Sequence, residues 1–183
     1  MKKVVITFGV IGGLVISVLM LSTLPFENQI GFDRALIVGY TTMVASFLLV
    51  FFGIRSYRNN VGGGRITFGR GFAVGILITL ITCVFYVVTW QIMYFGFMPD
   101  FMAKEGAHAV ERLRASGASD AAIQAKIVEM QKAKAIEDNP LTNAAMTFIE
   151  PFPVGLLITL ISAAVLRKKV GAGGVEAAVA EAS

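Results

Sequence analysis

Four long apolar runs, separated by stretches in which charged residues gather, organise the sequence. The first, Val4–Leu24, follows Lys2 and Lys3, and the second, Ala35–Ile54, lies between Arg34 and Arg55. The third begins at Phe72 after Arg70 and stays apolar to Phe97, with Trp90 and Tyr94 near its far end. The fourth stops at Leu166 against Arg167, Lys168 and Lys169. Counting back about 20 residues, the length that crosses a bilayer, puts its start near residue 147. The first run is longer than a secretory signal core and no Ala-x-Ala site follows it, so it is read as an uncleaved helix. These runs predict spans over about 4–24, 35–54, 72–97 and 147–166.

Between the third and fourth runs, the period of the apolar residues changes. Residues 99–146 alternate charged and small residues and predict two helices outside the apolar layer. The first covers about 101–115, carries Val110 and Leu113, and stops at Ser116-Gly117, glycine being a common helix end. Ser119 is a suitable N-cap for the second, and Asp120 puts a negative charge in its first turn. Ile123, Ile127 and Met130 then recur at i, i+4 and i+7, which is one helical face. That face suits packing of the pair on itself or on the membrane surface, or the docking of another protein. Asn139-Pro140 offers a further cap and first-turn proline, from which the fourth helix can begin outside the membrane.

Charge orients the spans. Lys2 and Lys3, then Arg55, Arg58, Arg65 and Arg70, then Arg167, Lys168 and Lys169 flank the same side of a four-span chain. Residues 99–150 on the other side hold more acids than bases. The excess of Lys and Arg marks the cytoplasmic side. The expected fold is therefore an all-α membrane protein of four transmembrane helices, both termini inside, with an extracytoplasmic helical hairpin between helices 3 and 4. One domain over 1–169 and a flexible cytoplasmic tail over 170–183, rich in Gly and Ala, complete the expected organisation.

Composition narrows the chemistry. Hydrophobic residues make up 56% of the 183 and charged ones 15%, too few charges for a water-facing surface. A soluble enzyme domain and a disordered chain are both excluded. Cys83 is the only cysteine and His108 the only histidine, so neither a disulfide nor a Cys/His zinc site can form within the chain. The Gly62–Gly71 stretch lacks the Gly-Lys-Ser/Thr ending of a phosphate-binding loop. It is expected to be a flexible inside loop whose arginines, with Arg55 and Arg58, meet lipid headgroups. No enzyme activity, cofactor, metal or nucleic acid is expected. The expected partners are the bilayer and either a second copy or another membrane or periplasmic protein.

Small residues mark helix contacts. Gly9-x-x-x-Gly13 and Gly71-x-x-x-Gly75 place small residues one turn apart, which lets backbones approach closely in lipid. Residues 72–82 and 152–162 are identical at eight of eleven positions. Their Gly75, Thr79, Thr82 and Gly155, Thr159, Ser162 stripes can face each other across antiparallel helices, bonding at the seam or lining a path.

Glu150 lies about 25 Å of helix rise from the inner boundary at Arg167, just inside a hydrocarbon core about 30 Å thick. An unpaired carboxylate there is costly. Pro151 and Pro153 follow and disfavour regular helix at that point. Arg34 is its expected partner by depth, and the readings left open are an ion-paired interface residue and a coupling or ligand-binding acid.

The word Gly53-Ile54-Arg55-Ser56-Tyr57-Arg58, the glycine-rich link, Ile66-Thr67-Phe68-Gly69-Arg70 and the Gly75 helix resemble the bacterial membrane family named domain of unknown function 4199. Glu150-Pro151-Phe152-Pro153-Val154-Gly155 is similar to that family's last span, and the resemblance covers about residues 3–169. It implies a bacterial inner-membrane protein of four helices, with no activity, substrate or catalytic residue to carry over. The function expected is an envelope scaffold or accessory subunit acting through protein contacts. The alternative is a small oligomeric transporter or channel using Glu150.

Overall fold

The computed structural model describes residues 1–23 and 32–168, with residues 32–36 described by their backbone alone. It is helical: α1 (Lys2–Thr23), α2 (Phe32–Asn60), α3 (Phe68–Ile92) closing in a π-helical turn (Met93–Phe97), α4 (Phe101–Ala115), α5 (Asp120–Glu137), α6 (Pro140–Ile149) and α7 (Pro151–Leu166). Four stretches, Lys2–Thr23, Ile37–Asn60, Phe68–Phe97 and Pro140–Leu166, are long and apolar enough to cross a membrane. Three of them reach past the expected ends. The second continues through the polar residues 55–60, because no proline or glycine interrupts it before Gly62. The third starts at Phe68, four residues before the apolar run, and leaves α-helical geometry at Met93. The fourth begins at Pro140, where the Asn139-Pro140 cap allows a start ahead of the span expected from about residue 147, and Glu150 interrupts it.

The chain divides into two compact units. The first comprises Met1–Phe85 and the segment from Pro151, and α1 packs on α2 and α2 on α7. Its interior holds Ile16, Phe47, Val50, Ile54, Val74 and Ile78. Ile6, Leu14, Val18, Leu48, Val84, Leu157 and Val165 face outward from the same helices. Helices that are apolar all round suit a lipid surround, since water would leave that outer layer unsolvated. Glycines bring the helices close. A methyl group on Gly9 would fall within 2.8 Å of Ile81, and Gly13 takes Phe85 one turn further on, so this glycine pair seats two side chains of α3.

The link between α2 and α3 is wound. Gly63 and Gly64 adopt positive φ (57° and 82°), where other residues are strained, and the Gly64 amide donates to the Arg58 carbonyl at 2.9 Å. Ile66 is buried and forms an isolated antiparallel bridge with Lys168, whose amide donates to the Ile66 carbonyl at 3.0 Å. The tail over 170–183 and Lys169 lie outside the described residues.

The second unit runs from Tyr86 to Glu150. Here α4 and α5 pack together, with Gly106 giving room to Met130. Ile123 is buried, and Ile127 and Met130 are half-buried in that contact. Of the three uses weighed for this stripe, the structure shows packing of the pair on itself. The turn between the helices holds Gly117 at φ 74°, and the Ala118 amide donates back to the Leu113 carbonyl at 3.1 Å, a left-handed helix end. Ser119 caps α5 by accepting from the Ala122 amide, and Asn139 caps α6 by accepting from the Leu141 and Thr142 amides. Trp90, Tyr94 and Phe101 stack edge-on or tilted, with Trp90 and Phe101 ring centres 5.3 Å apart.

Candidate functional site

In the second unit, the end of α3 meets the segment around α6 through polar side chains. Three rungs run antiparallel. The Tyr86 hydroxyl donates to Glu150 Oε2 at 3.0 Å. Gln91 Nε2 donates to the Pro140 carbonyl at 2.9 Å and to Asn143 Oδ1 at 3.1 Å. The Tyr94 hydroxyl donates to Asp138 Oδ1 at 3.2 Å.

Asn143 is the hub. It is fully buried, and all its hydrogen-bonding capacity is used. Its Nδ2 donates to the Glu137 carbonyl and to Glu137 Oε2 at 2.7 Å, while its Oδ1 accepts from Gln91 and from Thr147. A buried amide with four partners fixes the rotamers of its neighbours, because each alternative leaves a polar atom unpaired.

Two acids beyond the apolar span respond in opposite directions. The Lys134 ammonium, 2.6 Å from Asp138 Oδ2, holds the Asp138 carboxyl below its ordinary range. Burial pushes the Glu137 carboxyl up. The two neighbouring acids are thus shifted in opposite directions, one by an ammonium and the other by burial.

Glu150 sits at the break between α6 and α7. Its backbone remains in the right-handed helical region (φ −67°, ψ −58°), so the prolines do not unwind the chain at this residue. Position 151 offers no N–H to the Thr147 carbonyl, and position 153 none to that of Ile149. A carboxyl, a phenol and carbonyls without helical donors therefore lie within two helical turns. The Arg34 side chain, its expected partner, lies outside the described residues, and the partner described for Glu150 is Tyr86.

The small-residue stripes meet in the first unit. The Thr79 and Thr159 hydroxyls share a hydrogen bond of 2.9 Å, and Thr79 also reaches the Gly155 carbonyl at 3.4 Å. A methyl group on Gly75 would come within 2.8 Å of Thr159, and one on Gly155 within 2.5 Å of Thr79. Ser162 is buried on the α7 stripe. Thr82 departs from its stripe and turns to α1, donating to the Gly9 carbonyl at 3.5 Å and lying against Gly12. Gly71 lies against Ala163. Arg55, Arg65 and Arg70 are exposed and Arg58 is half-buried. Among the described residues no group of three or more His, Cys, Asp or Glu side chains is placed to hold a metal.

Tyr86, Gln91, Asn143 and Asp138 were missed by the sequence reading. The available signal was Gln91, a lone amide inside the third apolar run, with Tyr86 and Tyr94 on either side of it.

The model of a family described as protein of unknown function (DUF4199) matches residues 7–168. The chain belongs to this family. The match includes every rung of the polar ladder and both glycine–threonine stripes. No curated protein and no solved structure matches this DUF4199 chain.

Proposed function

We propose that this DUF4199 protein is a non-enzymatic integral protein of the bacterial inner membrane that works through protein contacts, as an envelope scaffold or accessory subunit. Both termini lie in the cytoplasm in this reading, and the α4–α5 pair stands outside as a helical hairpin. The distribution of Lys and Arg supports the orientation. The observation that carries the contact role is the construction of the pair. Its apolar stripe lies partly in its own packing, with Ile123 buried and Ile127 and Met130 half-buried, its turns are capped, and its outward positions carry Lys126 and Glu129 in an ion pair of 2.7 Å. Such a pair keeps its shape in water and presents a patterned polar face.

The hydroxyls of the α3–α7 seam support the same reading. They are buried, and the flanking glycines leave no room for a methyl group, which supports a closely packed seam. A second reading, a small oligomeric transporter or channel, is favoured by one observation, the Tyr86–Glu150 pair next to Pro151 within a candidate span.

The test is the composition of the complex extracted in mild detergent from the native host after cross-linking. A defined second protein, lost on deletion of residues 101–138, is the expected result. A homo-oligomer without a second protein, showing ion flux that Glu150→Gln abolishes, would replace this reading with transport.

A further inference from the structure

One end of the first unit gathers cations from chain segments far apart in sequence. Gly53 packs on Phe8, and Gly71 on Ala163 and Ile54. These contacts bring the start of α1, the end of α2, the start of α3 and the end of α7 to the same end. The bridge between Ile66 and Lys168 then fixes the finer placement. Bridged residues lie about 5 Å apart between α-carbons. The bridge therefore holds Arg65 and Arg167 each within one residue of it, with Thr67 opposite Arg167 and Arg70 in the first turn of α3.

Arg65, Arg70, Arg167 and Lys168 are all exposed, and the described side chains of this unit include no carboxylate. The ground around them is open and partly apolar. A methyl group on Gly63, Gly64 or Gly69 would meet nothing within 4 Å. Phe68 and Phe72 stack with ring centres 6.3 Å apart, and Phe68 and Val61 are exposed.

We infer that this end is a binding site for the headgroup of an anionic phospholipid, with Arg65, Arg70, Arg167 and Lys168 on the phosphate and Phe68 and Val61 against the first acyl carbons. A soluble anion would use the cations and leave the apolar residues idle. A lipid uses both. Clustered cations repel one another, and a phosphate between them lowers that cost. The bridge is the decisive feature, because it adds the α7 end to a loop that would otherwise meet headgroups one arginine at a time. The site is independent of the contact role proposed above.

The test measures retention of phosphatidylglycerol against phosphatidylcholine by the full chain in mixed detergent micelles, read by native mass spectrometry. Each cation near an anionic surface contributes about fivefold in binding. The wild type should prefer phosphatidylglycerol by about tenfold or more, and the preference should fall as salt rises. The variant Arg65→Gln/Arg70→Gln/Arg167→Gln/Lys168→Gln should lose about tenfold or more of that preference. Lys104→Gln/Arg114→Gln/Lys132→Gln, which neutralises hairpin cations, should keep it. Equal retention of the two lipids by the wild type overturns the proposal and needs no variant to fold. A preference that survives the fourfold variant, or that the hairpin variant also loses, overturns it too. Displacement of the lipid by inorganic phosphate at matched concentration would assign the cations to a soluble anion and equally overturn it.

Discussion

Helix α3 is joined to its neighbours by different chemistry in the two units. In the first, its contact with α7 is built from glycines and threonines, and one hydroxyl pair replaces bulk. In the second, its last turns meet the α6 region through a phenol, an amide and another phenol, each facing a carboxyl or amide partner. Lipid offers no hydrophobic drive for helix association, so contacts within it depend on close packing and modest hydrogen bonds. Buried polar side chains are held where complementary donors and acceptors meet, and specificity can come from that pairing. The difference shows two ways of holding one helix.

The sharpest way to break the comparison is to add volume to the first contact. Gly155→Leu drives a side chain into Thr79 and Phe47, where a single methyl group already comes within 2.5 Å and 2.7 Å. It should cost about 3 kcal/mol or more, by separating two backbones that have no flexible side chain to yield. Detergent-resistant thermal unfolding checks this, and a loss below about 1 kcal/mol would show that the approach is looser than described.

The second contact should fail through loss of polarity. Asn143→Leu keeps the branching at Cγ, adds some bulk, and leaves Gln91, Thr147 and the Glu137 carbonyl short of a partner. A loss of about 2–3 kcal/mol is expected. Trp90, the sole tryptophan, reports on this unit by fluorescence. If Asn143→Leu unfolds at the wild-type midpoint, the ladder contributes no net stability.

A smaller effect separates packing from hydrogen bonding in the seam. Thr79→Val preserves shape and removes the bond to Thr159, which in lipid is worth about 0.6 kcal/mol. Its cost should be well below that of Gly155→Leu, and a comparable cost would make the hydroxyl pair the main bond of the seam.

The smallest effect is electrostatic. The Asp138 carboxyl is depressed by Lys134, so its contribution is present above the unfolded value, about 3.9, and fades as pH falls through the lower folded one. Glu137 is raised by burial and has the opposite sign, losing stability as pH climbs from the unfolded value, about 4.3, through its folded one. Lys134→Ala should remove the first dependence and Glu137→Gln the second, as read by acid titration of Trp90 fluorescence.

Much of the architecture was legible because it follows from one-dimensional patterns. Apolar runs mark the four spans, and Ser119, Gly117 and Asn139 mark helix ends through chemistry that acts over three or four residues. Helix ends within polar sequence were harder. Residues 55–60 stay helical because nothing there breaks the helix, although they leave the apolar layer. The polar ladder was hidden for a different reason. Its partners lie 44 to 64 residues apart, and pairing them needs the rotation of each helix as well as its depth. Arg34 was selected for Glu150 on depth alone. Tyr86 was overlooked because a tyrosine inside an apolar run reads as a hydrophobe, and its hydroxyl carries the contact.

The seam has one further consequence. Gly75 meets Thr159, Gly155 meets Thr79, and the two threonines meet each other, each pair exchanging partners at the same sequence offset. Contacts of this reciprocal kind are what two identical subunits make across a dyad. This chain makes them with itself. Each half of the seam is therefore a template for the other, and an isolated α7 helix supplied in the same bilayer is a direct competitor for the α3 surface.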